Sequence, residues 1–207
     1  MSSARSSCKR ARAPALVALL LVLAASPASA HLQSTGLGPF YDGVAHLALS
    51  PEDLVLVLAV GLLAGLRGAL SGRRALATLP AAWLAGGLAG SLLAPGSSWP
   101  WLTVASFTLL GGLVAADVRV TLPVLTGLCA AAGSLHGSAN GSSLGSQPDG
   151  IPILIGIAVA VFVVLALAAG FVSVLEKPWT RIAARVAGSW IAAAGLLLFG
   201  WLIRGRA

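Results

Sequence analysis

The segment Asp42–Leu66, DGVAHLALSPEDLVLVLAVGLLAGL, holds the best-marked helix start in the chain. Ser50 can cap a helix that opens at Pro51, because proline at the first helical position gives up an amide that would lack a partner anyway. Glu52 and Asp53 then sit where the helix dipole favours negative charge. From Leu54 to Leu66 no charged residue interrupts the apolar run. A sharp start followed by an uncharged helix is the pattern of a chain entering a membrane. Just upstream, the 23 residues His31–Asp53 contain two of the three histidines and three of the six acids. A metal or proton site at a membrane entrance is expected there.

Working outward, the whole composition agrees. Of 207 residues, 57% are hydrophobic and 9% charged, against roughly 25% charged in soluble domains. With a mean hydropathy of +0.94, an integral membrane protein is expected. The net charge of +7 is no nucleic-acid footprint, because the basic residues fall in small groups between apolar runs. Cys8 and Cys129 make neither a disulfide framework nor a thiolate metal motif. No Gly-rich loop of the Lys-Ser/Thr type is present, so the chain is no ATPase. An intramembrane hydrolase using Ser134 or Ser138 with His136 lacks both a nucleophile motif and an acid on the same span. An enzyme is not expected.

The first thirty residues follow the order of a secretory signal: Arg5, Lys9, Arg10 and Arg12, then apolar Ala15 to Ala25, then Ala28-Ser29-Ala30. The apolar part is too short for the roughly 20 residues of a span. Cleavage after Ala30 would leave His31 first. The expected organisation is a signal peptide (1–30), an exported N-terminal segment carrying ligand candidates (31–50) and an all-α, six-helix membrane domain (51–207). Its spans are read at 51–66, 75–93, 99–116, 120–136, 151–175 and 184–203, with breaks at 67–74, 95–100, 117–119, 137–150 and 176–185.

Orientation follows from Lys and Arg near the span ends. With His31 exported, the cytoplasmic connections hold Arg67, Arg73, Arg74, Arg119, Lys177, Arg181 and Arg185, and only Arg204 and Arg206 lie on the other side. All three histidines, with Asp42, Glu52, Asp53 and Asp149, then face the exported compartment. Glycines such as Gly61, Gly65, Gly86, Gly90 and Gly111 predict close helix packing in lipid. Tryptophans near the span ends, among them Trp99, Trp101, Trp179 and Trp201, predict an aromatic belt.

Asp42 and His46 are four apart and share a face if their segment is helical. Glu52 and Asp53 can serve as dipole partners or as ligands. His46, flanked by acids before and after, points to ligation, and His136 at the end of an apolar span points to a ligand or an interfacial histidine. Asn140, four residues on, offers an amide oxygen if the helix continues. His31, as a new N-terminus, could chelate through its amine and imidazole. Imidazoles and carboxylates without thiolate suit a borderline divalent ion such as Ni²⁺, Co²⁺ or Zn²⁺.

Two motifs make the chain resemble the HupE/UreJ family of nickel permease-type membrane proteins. His46, then five residues, then Glu52-Asp53 is similar to that family's first-helix pattern His, five residues, Asp, His, with Asp53 in place of the second histidine. Leu135-His136-Gly137-Ser138-Ala139-Asn140-Gly141-Ser142-Ser143 resembles its fourth-helix pattern Phe-His-Gly-x-Ala-His-Gly-x-Glu. There Asn140 stands for a histidine and Ser143 for the glutamate. The resemblance implies a signal peptide, six spans, and nickel or cobalt movement across the bacterial inner membrane toward a hydrogenase or urease maturation system. The ion would be cargo and no cofactor is implied. His46, His136, Asp42, Glu52, Asp53, Asn140 and His31 are the expected metal residues, and the partners are the divalent ion and membrane lipid. A membrane metal-binding accessory or sensor protein that does not translocate the ion is the alternative.

Overall fold

Prolines and glycines set the helix boundaries. The computed structural model describes residues 34–93, 99–144, 147–174 and 178–205, so the signal segment and His31 lie outside the described residues. Among the described residues the chain is all-α, with helices α1 (Pro39–Leu49), α2 (Pro51–Leu66), α3 (Ala69–Leu93), α4 (Pro100–Ala115), α5 (Leu122–Leu144), α6 (Gly150–Ser173) and α7 (Pro178–Arg204). Helices α1, α2, α4 and α7 each open on proline, whose ring fixes φ and whose missing amide costs nothing at that position.

Among the described residues, three helices are long and apolar enough to cross a membrane singly: α3, α6 and the Trp179–Arg204 stretch of α7. Helices α1 and α2 pass that test as a pair, bent by 76° at their junction. Ser50 causes the bend. It is extended (φ −102°, ψ 92°), as a residue before proline prefers, and its amide closes α1 on the His46 carbonyl at 2.9 Å. Helix α4, at 16 residues, is apolar but short. Helix α5 has the length, at 23 residues, but its glycines, serines, His136 and Asn140 leave it without a continuous stretch as apolar as those of the other three.

Three boundaries differ from the sequence expectation, and the simplest is the last: the break read at 176–185 is helical from Pro178 on. The break read at 67–74 shrinks to Arg67-Gly68, where Gly68 turns the chain at φ +95°, and Arg73 and Arg74 ride exposed on the first turns of α3. The break read at 137–150 begins only after Leu144. Glycines and serines there signal a loop in water, yet they here make a contact surface. A methyl group added at Gly133, Gly137 or Gly141 would strike the carbonyl oxygens of Leu79, Trp83 and Gly87, and one at Gly86 or Gly90 would strike those of Ser134 and Ser138. Helices α3 and α5 thus touch backbone to backbone, the close approach that small residues four apart permit. The serines stay in the helix by returning their hydroxyls to carbonyls three residues back: Ser138 to Leu135, Ser142 to Ala139 and Ser143 to Asn140.

Helix α2 is central, packed on α3, α4, α6 and α7, and Leu56, Val57, Val60, Leu63 and Ala64 along it are fully buried. Trp99, Trp101, Trp179, Trp190 and Trp201 are exposed, whereas Trp83 is wholly enclosed. At the C-terminal end of α2, Asp117 accepts hydrogen bonds from Arg67 and, at 2.6 Å, from Nε of Arg181, while Arg185 donates to the Ala115 carbonyl. The Arg181 hydrogen bond, helped by Arg67 and opposed by burial, holds the Asp117 carboxyl below the usual carboxylate range.

Candidate metal site

Asp53 occupies the first turn of α2, where the dipole supports its charge, and its side chain is 5% exposed. Nδ1–H of His136 donates to Oδ1 at 2.7 Å, and Nδ2 of Asn140 donates to Oδ2 at 3.0 Å. Both partners come from α5, one turn apart, and they reach the same carboxylate because α5 stays helical through Gly137. His46, from the last turn of α1, places Nε2 4.0 Å from Oδ2 of Asp53. The same nitrogen is 3.4 Å from Oδ1 of Asn140 and 3.2 Å from Oγ of Ser50. The 76° bend puts that imidazole over the start of α2. Ser50 stands at the cap position, but no side-chain cap bond forms, and its hydroxyl faces His46 instead.

Of the sequence candidates, the structure therefore brings together His46, Asp53, His136 and Asn140. Asp42 shares helix α1 with His46, but its carboxylate receives both the amide and the hydroxyl of Thr35 and so fastens the segment before α1. Glu52 is exposed; of the two adjacent acids, Asp53 points inward. His31 lies outside the described residues.

Three neighbours escaped the sequence reading as site residues. Ser106 of α4 places Oγ 2.8 Å from Nε2 of His136. Trp83 of α3 packs its ring on the same imidazole, with centroids 5.5 Å apart and planes tilted by 44°, and its buried Nε1 has no hydrogen-bond partner. Ser50 is the third. Ser106 lies inside the apolar segment read at 99–116, where nothing in the sequence ties it to His136. A crevice of about 240 Å³ between α3, α4 and α5, bordered by Trp99, Thr103, Leu135 and Ser138, comes within a helical turn of Ser106 and His136.

Metal–ligand bonds of about 2.0–2.2 Å imply donor–donor separations of roughly 3–4 Å, the range found around Nε2 of His46. Among the described residues no three His, Cys, Asp or Glu side chains converge on one point. A cation here would draw on the amide of Asn140, and on the Ser50 hydroxyl, as well as on His46 and Asp53. That set joins one carboxylate to imidazole, amide and hydroxyl donors.

A protein-family model described as HupE / UreJ protein matches residues 19–198. The chain belongs to the HupE/UreJ family. No curated protein and no solved structure matches it. The match spans every helix that contributes to the site, from His46 on α1 to His136 and Asn140 on α5. The HupE/UreJ family is a transporter-type family associated with nickel and cobalt, in keeping with a carboxylate, imidazole and amide cluster between apolar helices.

Proposed function

We propose that this HupE/UreJ protein is an inner-membrane permease for a divalent transition metal, nickel or cobalt. In this reading the signal peptide is removed, six spans cross the membrane, and the mature N-terminus, with His31, is exported. His46, Asn140 and Asp53 take the ion from the exported side, and His136 first orients Asp53 and then receives the ion further in. Glu52, exposed beside them, adds negative potential at the mouth, and Asp42 keeps α1 in place. The ion is handed on to a hydrogenase or urease maturation system.

The observation that carries this reading is the buried carboxylate of Asp53, held by His136 and Asn140 and approached by His46. A buried charge is retained at a cost of several kcal/mol unless paired, so an acid enclosed with imidazole and amide groups and without Lys or Arg is best explained by a cation it serves. Borderline imidazole and oxygen donors suit Ni²⁺ and Co²⁺.

A second reading, a membrane accessory or sensor that binds the ion and does not pass it on, is favoured by the apolar middle of α2. Below Asp53 its buried face is Leu56, Val57, Val60, Leu63 and Ala64, with no polar step for an ion. Uptake of radioactive nickel by cells lacking their own importers separates the two. A permease gives uptake that His46→Ala and His136→Ala each reduce tenfold or more at equal membrane abundance. Nickel binding by the purified protein without uptake would sink the permease and leave the accessory.

A further inference from the structure

Asp117 holds two arginines with one carboxylate, which leaves the trio with a surplus positive charge. Helix α4 ends there in a Schellman turn, with the Asp117 amide on the Val114 carbonyl and the Val118 amide on that of Leu113. Asp117 takes the left-handed position of that turn (φ +54°), where glycine would sit with less strain. An acid stands there for its carboxylate. The Arg67 side chain is only 9% exposed, and its Nε is enclosed without a hydrogen-bond partner among the described residues. Arg181 reaches Asp117 through Nε, which fixes the plane of its guanidinium. Its terminal nitrogens, on a side chain 46% exposed, bond no described residue.

A pocket of about 200 Å³ opens beside the trio. It is bordered by Gly65, Leu66 and Gly68, which flank Arg67 in the chain, and by Val172, Ser173 and Arg181. Helices α2 and α6 end at this pocket while α3 and α7 begin at it, so their opposed dipole ends largely cancel. Formal charge then decides what the pocket takes. The connections on this side carry seven basic residues against the two acids Asp117 and Glu176. A buried surplus charge calls for a partner of opposite sign.

We propose that this pocket seats the phosphate of an anionic phospholipid, gripped by the terminal nitrogens of Arg181. A guanidinium offers phosphate oxygens paired donors, and Asp117 is the positioning residue that aims them. Exposed Leu70, Phe171, Val174 and Ile182 stand one or two residues along the chain from the pocket wall. They give acyl chains an apolar surface that a soluble anion would not use. Basic pockets between helices at a membrane surface suit acidic head groups.

The inference stands apart from the metal function, and its test needs no nickel. Full-length protein in neutral detergent is given equal amounts of phosphatidylglycerol and phosphatidylcholine, and bound lipid is counted by native mass spectrometry. Wild type should carry phosphatidylglycerol in preference by about tenfold or more, the worth of one charge-assisted contact. Arg181→Gln should lose most of that preference. Because Arg181 also holds Asp117, Ser173→Phe gives a second route: it fills the pocket, leaves every charge in place, and should lose the preference as well. Arg185→Gln removes a charge one turn along α7, outside the pocket wall, and should keep the preference within about twofold. Equal binding of the two lipids by wild type would overturn the proposal. So would a preference that survives either Arg181→Gln or Ser173→Phe, or that Arg185→Gln removes equally. Loss of the preference to millimolar inorganic phosphate would overturn the lipid and make the pocket a site for soluble anions.

Discussion

Asp53 and Asp117 stand at opposite ends of the same central helix, and their company could hardly differ. Asp53 and Arg67, the partner of Asp117, are separated by fourteen residues of α2, about 21 Å at 1.5 Å per residue. Asp53 is shared between an imidazole and an amide, with a second imidazole 4.0 Å off. Asp117 is gripped by two permanent cations, Arg67 and Arg181. The first acid sits among imidazole and amide partners, which the proposed function would exchange for a metal ion. The second has spent its charge on guanidiniums that repel one. A carboxylate becomes a site or a staple according to whether its neighbours can be displaced.

The sharpest test of that contrast is Asp53→Asn, which keeps the shape and removes the charge. Nickel binding should weaken by on the order of a hundredfold or more, measured by isothermal titration, and an unchanged affinity would break the comparison outright. Next comes Gly137→Ala, which leaves every donor in place but sets a methyl group against the Trp83 carbonyl. Backbone cannot yield there as a side chain can, so stability should drop by about 1–3 kcal/mol, read from thermal unfolding in detergent, with nickel affinity falling as α5 is pushed away.

At the other end, Asp117→Asn should cost about 1 kcal/mol at neutral pH and leave nickel affinity within about twofold of wild type. Its pH dependence sharpens the case. Because folding lowers the Asp117 carboxyl from the ordinary value of 3.8, its contribution is full above that value and is lost as pH falls through the lower folded one. The asparagine variant should lose this part of the acid sensitivity, seen as a shallower fall in melting temperature below about pH 4. The smallest effect belongs to Glu52→Gln. The side chain is exposed, so nickel affinity at 0.15 M salt should change by less than about twofold. A loss as large as that of Asp53→Asn would mean that the wrong acid has been assigned.

How much of this was legible beforehand depends on what each residue had to say by itself. The start of α2 was written in four consecutive residues, Ser50 to Asp53, and His46, His136 and Asn140 were conspicuous as rare polar side chains in an apolar chain. Which of Glu52 and Asp53 turns inward was not legible, since neighbours on a helix differ by 100° and the choice is made by packing against α5. The length of α5 was hidden because glycine and serine signal a turn where water competes for the backbone. Against α3 they are instead the only residues small enough. Ser106 and Trp83 were invisible as site residues because nothing within their own helices marks them. Their role exists only where α3 and α4 meet His136.

The α3–α5 seam carries one more consequence. Its teeth are main-chain atoms, with Gly133, Gly137 and Gly141 seated against the carbonyls of Leu79, Trp83 and Gly87, so the register between the two helices rests on backbone contacts in which the side chains of Asn140 and Ser50 take no part. Donor side chains are therefore fittings on a chassis that is assembled without them. A workshop wishing to retune the ion could swap Asn140 for histidine, or Ser50 for aspartate, and expect the frame to hold its alignment while the selectivity moved.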